Sequence, residues 1–238
     1  MADFIHNKIV CPKEIGDRIL TKTENGYVFD FNKLIPIPEG FDYDLPSKGY
    51  EHKSVGFYYN SLPKEEKEKI KKVLSDKYFF NGEQNVNYWW KYSLYIDWVR
   101  DGHYDLAKED NEFKDSSAYK AMYPGCESLI DVGRKYVEQI KKYGFANWYD
   151  WQVTNWGTKW NALDSQVKFS EESNTYEISF DTAYAVPRLI MAEYAKLCKD
   201  DQFDWEVSDE FREHSESYKL LYGSIVSADL KNFLSKRK

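Results

Sequence analysis

The stretch QVKFSEESNTYEISFDTAYAVPRLI, residues 166–190, reads as a strand, a turn, a second strand and the start of a helix. Residues 166–169 and 175–180 contain the β-branched and aromatic side chains that strands favour, and the polar residues between them are typical of a turn. Pro187 suits a first helical turn, and apolar residues follow it at helical spacing. A hairpin followed by a helix is therefore predicted.

The N-terminus begins with a similar strand and helix. FIHNKIV at residues 4–10 predicts a strand, and Ile15, Ile19 and Leu20 supply one apolar helical face after Pro12. Alternating apolar residues over 203–207 predict a last strand. With the middle of the chain set aside, the order is strand, helix, strand, strand, helix, strand. This order predicts an α+β protein with a ferredoxin-like antiparallel sheet and both helices on one face.

The middle of the chain is predicted to be a large, mainly helical insertion. Residues 85–100 and 126–143 carry apolar side chains at helical spacing, whereas the acidic residues 101–118 indicate a loop. The predicted organisation is a core of residues 1–38 and 145–210, an insertion of 39–144 and a C-terminal extension of 211–238. The tail from Tyr218 ends in KNFLSKRK, residues 231–238, which is predicted to form a short helix.

Composition restricts the class of protein. The chain has 238 residues, a formal net charge of −7 and a pI near 5.3, which disfavours a dedicated nucleic-acid binder because such a protein needs a basic face. The three cysteines form neither a disulfide framework nor a zinc motif. The sequence shows no membrane helix and no signal peptide, so a cytoplasmic protein without membrane attachment is predicted.

Motifs that carry chemistry are absent from the sequence. Its 12 glycines form no nucleotide-binding loop, its 4 histidines are isolated, and no G-x-S-x-G elbow occurs. Carboxylate pairs are numerous, but 40 acidic residues make such pairs inevitable. We therefore predict no catalytic residues, no metal and no cofactor.

The most distinctive segment is NWYDWQVTNWGTKWN, residues 147–161, which places four tryptophans among amides, a lysine and a glycine. Such a surface can bind a base, a sugar or an apolar protein patch. The alternative is that the tryptophans fill space in the core, and this is the favoured interpretation for Trp156 and Trp160. The candidate binding residues are Trp148, Trp151, Asn155, Trp156, Lys159, Trp160 and Asp181.

Four motifs occur in a familiar order: FIHNKIVCP near the N-terminus, FDFNKLIPIP, NWGTKWNA and the ISFDTAYAVP junction. Together they resemble the YubB-like, ferredoxin-like domain family of phages, prophages and conjugative plasmids. The resemblance covers residues 1–38 and 145–207 and implies a fold and a mobile-element context, but no reaction or ligand. Tyr184 stands where the family usually has tryptophan, so the aromatic character is kept.

Three functions are compatible with these observations. The preferred hypothesis is a non-enzymatic accessory protein of a phage or mobile element that binds a host protein in the host cytoplasm. Such a protein would be an anti-defence inhibitor of the anti-CRISPR kind, with a nucleic-acid-binding defence factor as one partner type. The second is a protein that binds single-stranded nucleic acid on its sheet. The third is a small-molecule or nucleotide-handling enzyme whose polar candidates are Asp30, Asn32, Lys159 and Asp181.

Overall fold

The computed structural model describes residues 3–47, 49–76, 78–81, 84–200, 202–210 and 215–227.

The chain divides into a sheet unit, Met1–Ile37 with Asn155–Lys238, and a helical unit, Pro38–Thr154. The elements in chain order are β1 (Phe4–Pro12), α1 (Lys13–Ile19), β2 (Leu20–Thr23), β3 (Gly26–Phe29), a 3-10 helix (Phe31–Lys33), α2 (Glu51–Ser61), α3 (Lys64–Asp76), β4 (Tyr78–Asn81), β5 (Gln84–Asn87), α4 (Tyr88–Arg100), α5 (Leu106–Asp115), α6 (Ser117–Met122), α7 (Leu129–Tyr143), α8 (Trp148–Asn155), β6 (Leu163–Ser170), β7 (Thr175–Ala183), α9 (Arg188–Ala195), β8 (Asp204–Ser208), β9 (Ser215–Leu221) and β10 (Ser224–Ser227).

The sheet unit is built on an antiparallel sheet with the strand order β10-β9-β8-β1-β7-β6 in its described part. Alternation along the strands buries one face, because successive side chains point to opposite sides. Ile9, Ile178, Phe180 and Trp205 lie on the buried face, where α9 contributes Tyr194, 5.5 Å from the Trp205 ring. The α+β class predicted from the sequence is confirmed.

The helical unit packs α2 against α4 and α7. α7 begins where the Ser128 side chain accepts from the Asp131 amide and ends at Gly144, whose φ of +87° is a left-handed cap. A Cβ added at Gly133 would overlap the Ser54 carbonyl, so only glycine permits this approach of α7 to α2. Among the described residues, no helix is both long and apolar enough to span a bilayer.

One local prediction was wrong. The predicted loop over 101–118 contains α5 and the start of α6, because the side chains of Asp105 and Ser116 cap these helices and Phe113 is buried. Residues 215–227 form β9 and β10, and the predicted helix of residues 231–238 lies outside the described part of the chain. The insertion was predicted to end at residue 144, whereas residues 145–154 group with the helical unit.

Candidate functional site

The tryptophan segment is divided between the two units. Trp148 and Trp151 belong to the helical unit, whereas Asn155, Trp156, Lys159 and Trp160 belong to the sheet unit. Trp151 is buried against Phe41, and Trp148 is half-buried beside Tyr43. Neither unit by itself therefore brings the four tryptophans together.

Trp156 is a core residue of the sheet unit. Its side chain is 1 % exposed, its indole N–H donates to the Ile35 carbonyl at 2.9 Å, and its ring meets Phe31 edge to face at 5.7 Å. Thr158, two residues later, donates to the Ala183 carbonyl at 2.9 Å. The segment that follows α8 thus donates hydrogen bonds to two backbone carbonyls of the sheet unit, those of Ile35 and Ala183.

Asn161 joins this segment to the chain around Asp30. Its Nδ2 donates to Asp30 Oδ1 at 2.9 Å, and its Oδ1 accepts from the Phe31 amide at 2.9 Å. Asp30 also accepts from the amide and the side chain of Asn32 and from the Thr21 hydroxyl. Burial raises the pKa of Asp30, but these hydrogen bonds outweigh burial and hold it below its ordinary value. Asp30 and Asn32 therefore come together in one hydrogen-bonded cluster that links the two segments.

The other candidates, Asn155, Lys159, Trp160 and Asp181, are half-buried in the sheet unit. The Lys159 ammonium lies 4.2 Å from the centre of the Trp160 ring and 5.9 Å from that of Tyr184. Tyr184 has a φ of +67°, which is uncommon for a residue with a side chain. Asp181 lies on β7 and pairs with His6, which is 175 residues away in the chain.

A charged network is buried in the helical unit. Lys91 Nζ lies 2.6 Å from Glu51 Oε1 and 3.1 Å from Asp150 Oδ2, and the hydroxyls of Tyr92 and Tyr88 donate to the same two carboxylates at 2.6 and 3.1 Å. Asn147 Nδ2 donates to Glu51 at 3.2 Å. Glu51 is fully buried and Lys91 nearly so. The network ties α2, α4 and α8 together.

The electrostatics of this network favour a structural role. Burial lowers the pKa of Lys91, but the two carboxylates outweigh it, so that the pKa is raised and the ammonium stays charged. Burial and Glu51 raise the pKa of Asp150 against the opposing effect of Lys91. A permanently charged lysine is a poor nucleophile, which argues against covalent catalysis at Lys91.

The face of the sheet opposite the buried side chains carries a polar groove. Its volume is about 340 Å³, and it is lined by His6, Asn7, Lys8, Glu177, Ser179, Glu206, Val207, Ser208 and Ser215. His6 Nδ1 lies 2.5 Å from Asp181 Oδ1. Within β1, β7 and β8 this is the one His–Asp pair, and the sequence could not reveal it because its partners are 175 residues apart.

A tryptophan outside the distinctive segment is the most exposed of the described tryptophans. Trp90 is 71 % exposed, and Leu94, one turn further along α4, is 50 % exposed. Residues four apart lie on one helical face. The exposed pair therefore forms an apolar patch on α4.

No protein-family model, no curated protein and no solved structure matches this chain.

Proposed function

We propose that this chain is an accessory protein of a phage or other mobile element that binds a host protein through the α4 patch, Trp90 with Leu94. The exposure of Trp90 is the observation that carries the proposal. Tryptophan is enriched among the residues that dominate binding energy, and an apolar patch rimmed by charge is typical of an interaction site. Asp97 and Arg100, on the next turn of α4, supply such a rim.

The spacing of Trp90 and Leu94 on α4 fits a binding mode in which a helix docks into a groove of its partner. An amphipathic helix presents anchors four residues apart to an apolar groove of its partner. Trp90 and Leu94 have this spacing, and the side chain of Asn87 caps the start of α4 at the Trp90 amide, 2.7 Å away. The helix is therefore held in shape before binding. Within this proposal the partner is a host defence factor, and binding inhibits it.

A ferredoxin-like core and membership of the YubB-like family are part of the same proposal. Taken in chain order, the core strands are β1, β6, β7 and β8, and their order across the sheet is fourth, first, third, second. This antiparallel order, with α1 after the first strand and α9 before the last, supports a ferredoxin-like core. The four motifs quoted above support the kinship.

The described side chains give little support to single-stranded nucleic-acid binding on this sheet. Domains of this shape stack bases on aromatic residues of the central strands. At the corresponding solvent-facing positions, β1 presents His6, Lys8 and Val10, and β7 presents Glu177, Ser179 and Asp181. These side chains offer no aromatic platform, and all three of the β7 side chains are acidic or carry a hydroxyl group.

The proposal is tested by capture of host proteins on the tagged full-length chain. Wild type is compared with a W90A/L94A variant and with L189A, which removes a similarly exposed leucine from α9 in the other unit. We expect wild type and L189A to retain the same stoichiometric partner and the double variant to lose it. Absence of any stoichiometric partner, or equal capture by W90A/L94A, would contradict the proposal.

A further inference from the structure

Three residues form a row across the solvent-facing side of the sheet. In the strand register, His6 on β1 stands opposite Asp181 on β7 and opposite Ser208 on β8. Directly paired residues of antiparallel strands share one face and have Cβ atoms roughly 4.5–5.5 Å apart. Across β7, β1 and β8 the row therefore consists of a carboxylate, an imidazole and a hydroxyl, from Asp181, His6 and Ser208.

The pairing with Asp181 defines the protonation of the His6 ring. His6 Nδ1 lies 2.5 Å from Asp181 Oδ1, and in the tautomer with the proton on Nδ1 the ring donates this hydrogen bond to the carboxylate. In the neutral ring the other nitrogen, Nε2, then has a free electron pair. Such an arrangement orients an imidazole to act as a general base.

The groove gives this base a place to act. Both His6 and Ser208 line the cavity of about 340 Å³, together with Ser179 and Ser215. Asp181 is not part of this lining but contacts His6 from the neighbouring strand β7. A ligand in the groove would thus meet the hydroxyl and the imidazole at the same time.

We propose that Ser208, His6 and Asp181 form a serine-nucleophile site that hydrolyses a carboxylic ester. Ser208 Oγ attacks the carbonyl carbon, and its proton passes to His6 Nε2. The bond to the leaving alkoxide then breaks, and His6 returns the proton to that oxygen. Water releases the acid from the acyl-serine by the same proton path, which restores the free hydroxyl. This activity goes beyond host-protein binding and departs from the non-enzymatic function expected from the sequence.

A fluorophosphonate probe tests the site directly, because an activated serine displaces its fluoride and becomes covalently labelled. The full-length protein is labelled and the modified residue is identified by peptide mass spectrometry. We expect label at Ser208, none in S208A, and labelling slower by about a hundredfold or more in H6Q and D181N, which remove the general base or its orientation. S217A, a change on the same face of β9, is expected to label like wild type.

The same experiment can overturn the proposal. No labelling of wild type, label only on another serine, or equal rates in wild type and H6Q would each do so. Thermal unfolding of every variant is measured in parallel, so that a loss of labelling counts only in a folded protein. If H6Q does not fold, D181N, whose side chain keeps the size of aspartate, decides the outcome.

Discussion

Asn161 Nδ2 lies 2.9 Å from Asp30 Oδ1, and this contact joins two segments 131 residues apart in the chain. Asn161 ends the tryptophan-rich segment, and Asp30 opens the stretch that leads to Pro36. Trp156 reinforces the connection through the Ile35 carbonyl. Residues 155–161 of the tryptophan-rich segment thus have a structural role: their hydrogen bonds hold residues 30–35 in place.

Replacing Asn161 with alanine should destabilise the protein. The change leaves the Phe31 amide without its acceptor and removes a donor from Asp30. Loss of such part-buried hydrogen bonds costs about 1–3 kcal/mol. Urea unfolding measures the change, with Q166A on β6 as an exposed control that should stay within about 0.5 kcal/mol of wild type. Equal stability of N161A and Q166A would show that the hydrogen bonds of Asn161 do not contribute to the free energy of unfolding.

The buried network of the helical unit predicts a coupled effect of two substitutions. K91M leaves Glu51 and Asp150 buried without their cation, which should cost about 3–5 kcal/mol. D150N removes one of the two negative charges, so the double variant K91M/D150N should be less destabilised than the sum of the single changes. We expect a coupling of about 1–3 kcal/mol in a double-mutant cycle measured by urea unfolding. Additive effects would contradict the network.

His52 predicts a pH dependence of stability. Burial, and then the charge of Lys91, lower the pKa of His52 from 6.5 to about 4 in the folded protein. The unfolded chain therefore binds this proton first, and stability is lost as the pH falls from 6.5 towards 4. The imidazole should titrate near pH 4 by NMR, and H52N should lose less unfolding free energy than wild type between about pH 8 and about pH 5. Titration near 6.5 would refute the prediction.

Local patterns in the sequence predicted those elements whose side chains alternate or repeat over a long stretch. Strand β7 and helix α7 are examples, since each has a continuous buried face. The helices α5 and α6 were missed because they are short and have few buried side chains, so their caps are the main signal.

The polar sites could not be predicted because their partners are distant in the chain. Glu51 and Lys91 are charged residues of ordinary appearance in sequence, and only the packing of α2 against α4 shows that they are buried together. His6 appeared isolated because Asp181, which contacts it, and Ser208, which is paired with it in the strand register, lie on neighbouring strands. The exposure of Trp90 depends on which face α4 turns outward, and that follows from tertiary packing.

Tryptophan accessibility tests most directly the claim that the distinctive segment supports the fold while α4 carries the exposed anchor. Acrylamide quenching of the native protein is compared for wild type, W90F and W156F, with each unfolded in urea as the fully accessible reference. Trp90 is 71 % exposed and Trp156 1 % exposed, so W90F should lower the intensity of the readily quenched fluorescence and W156F should leave that intensity unchanged. A loss of readily quenched intensity in W156F, with none in W90F, would contradict this claim.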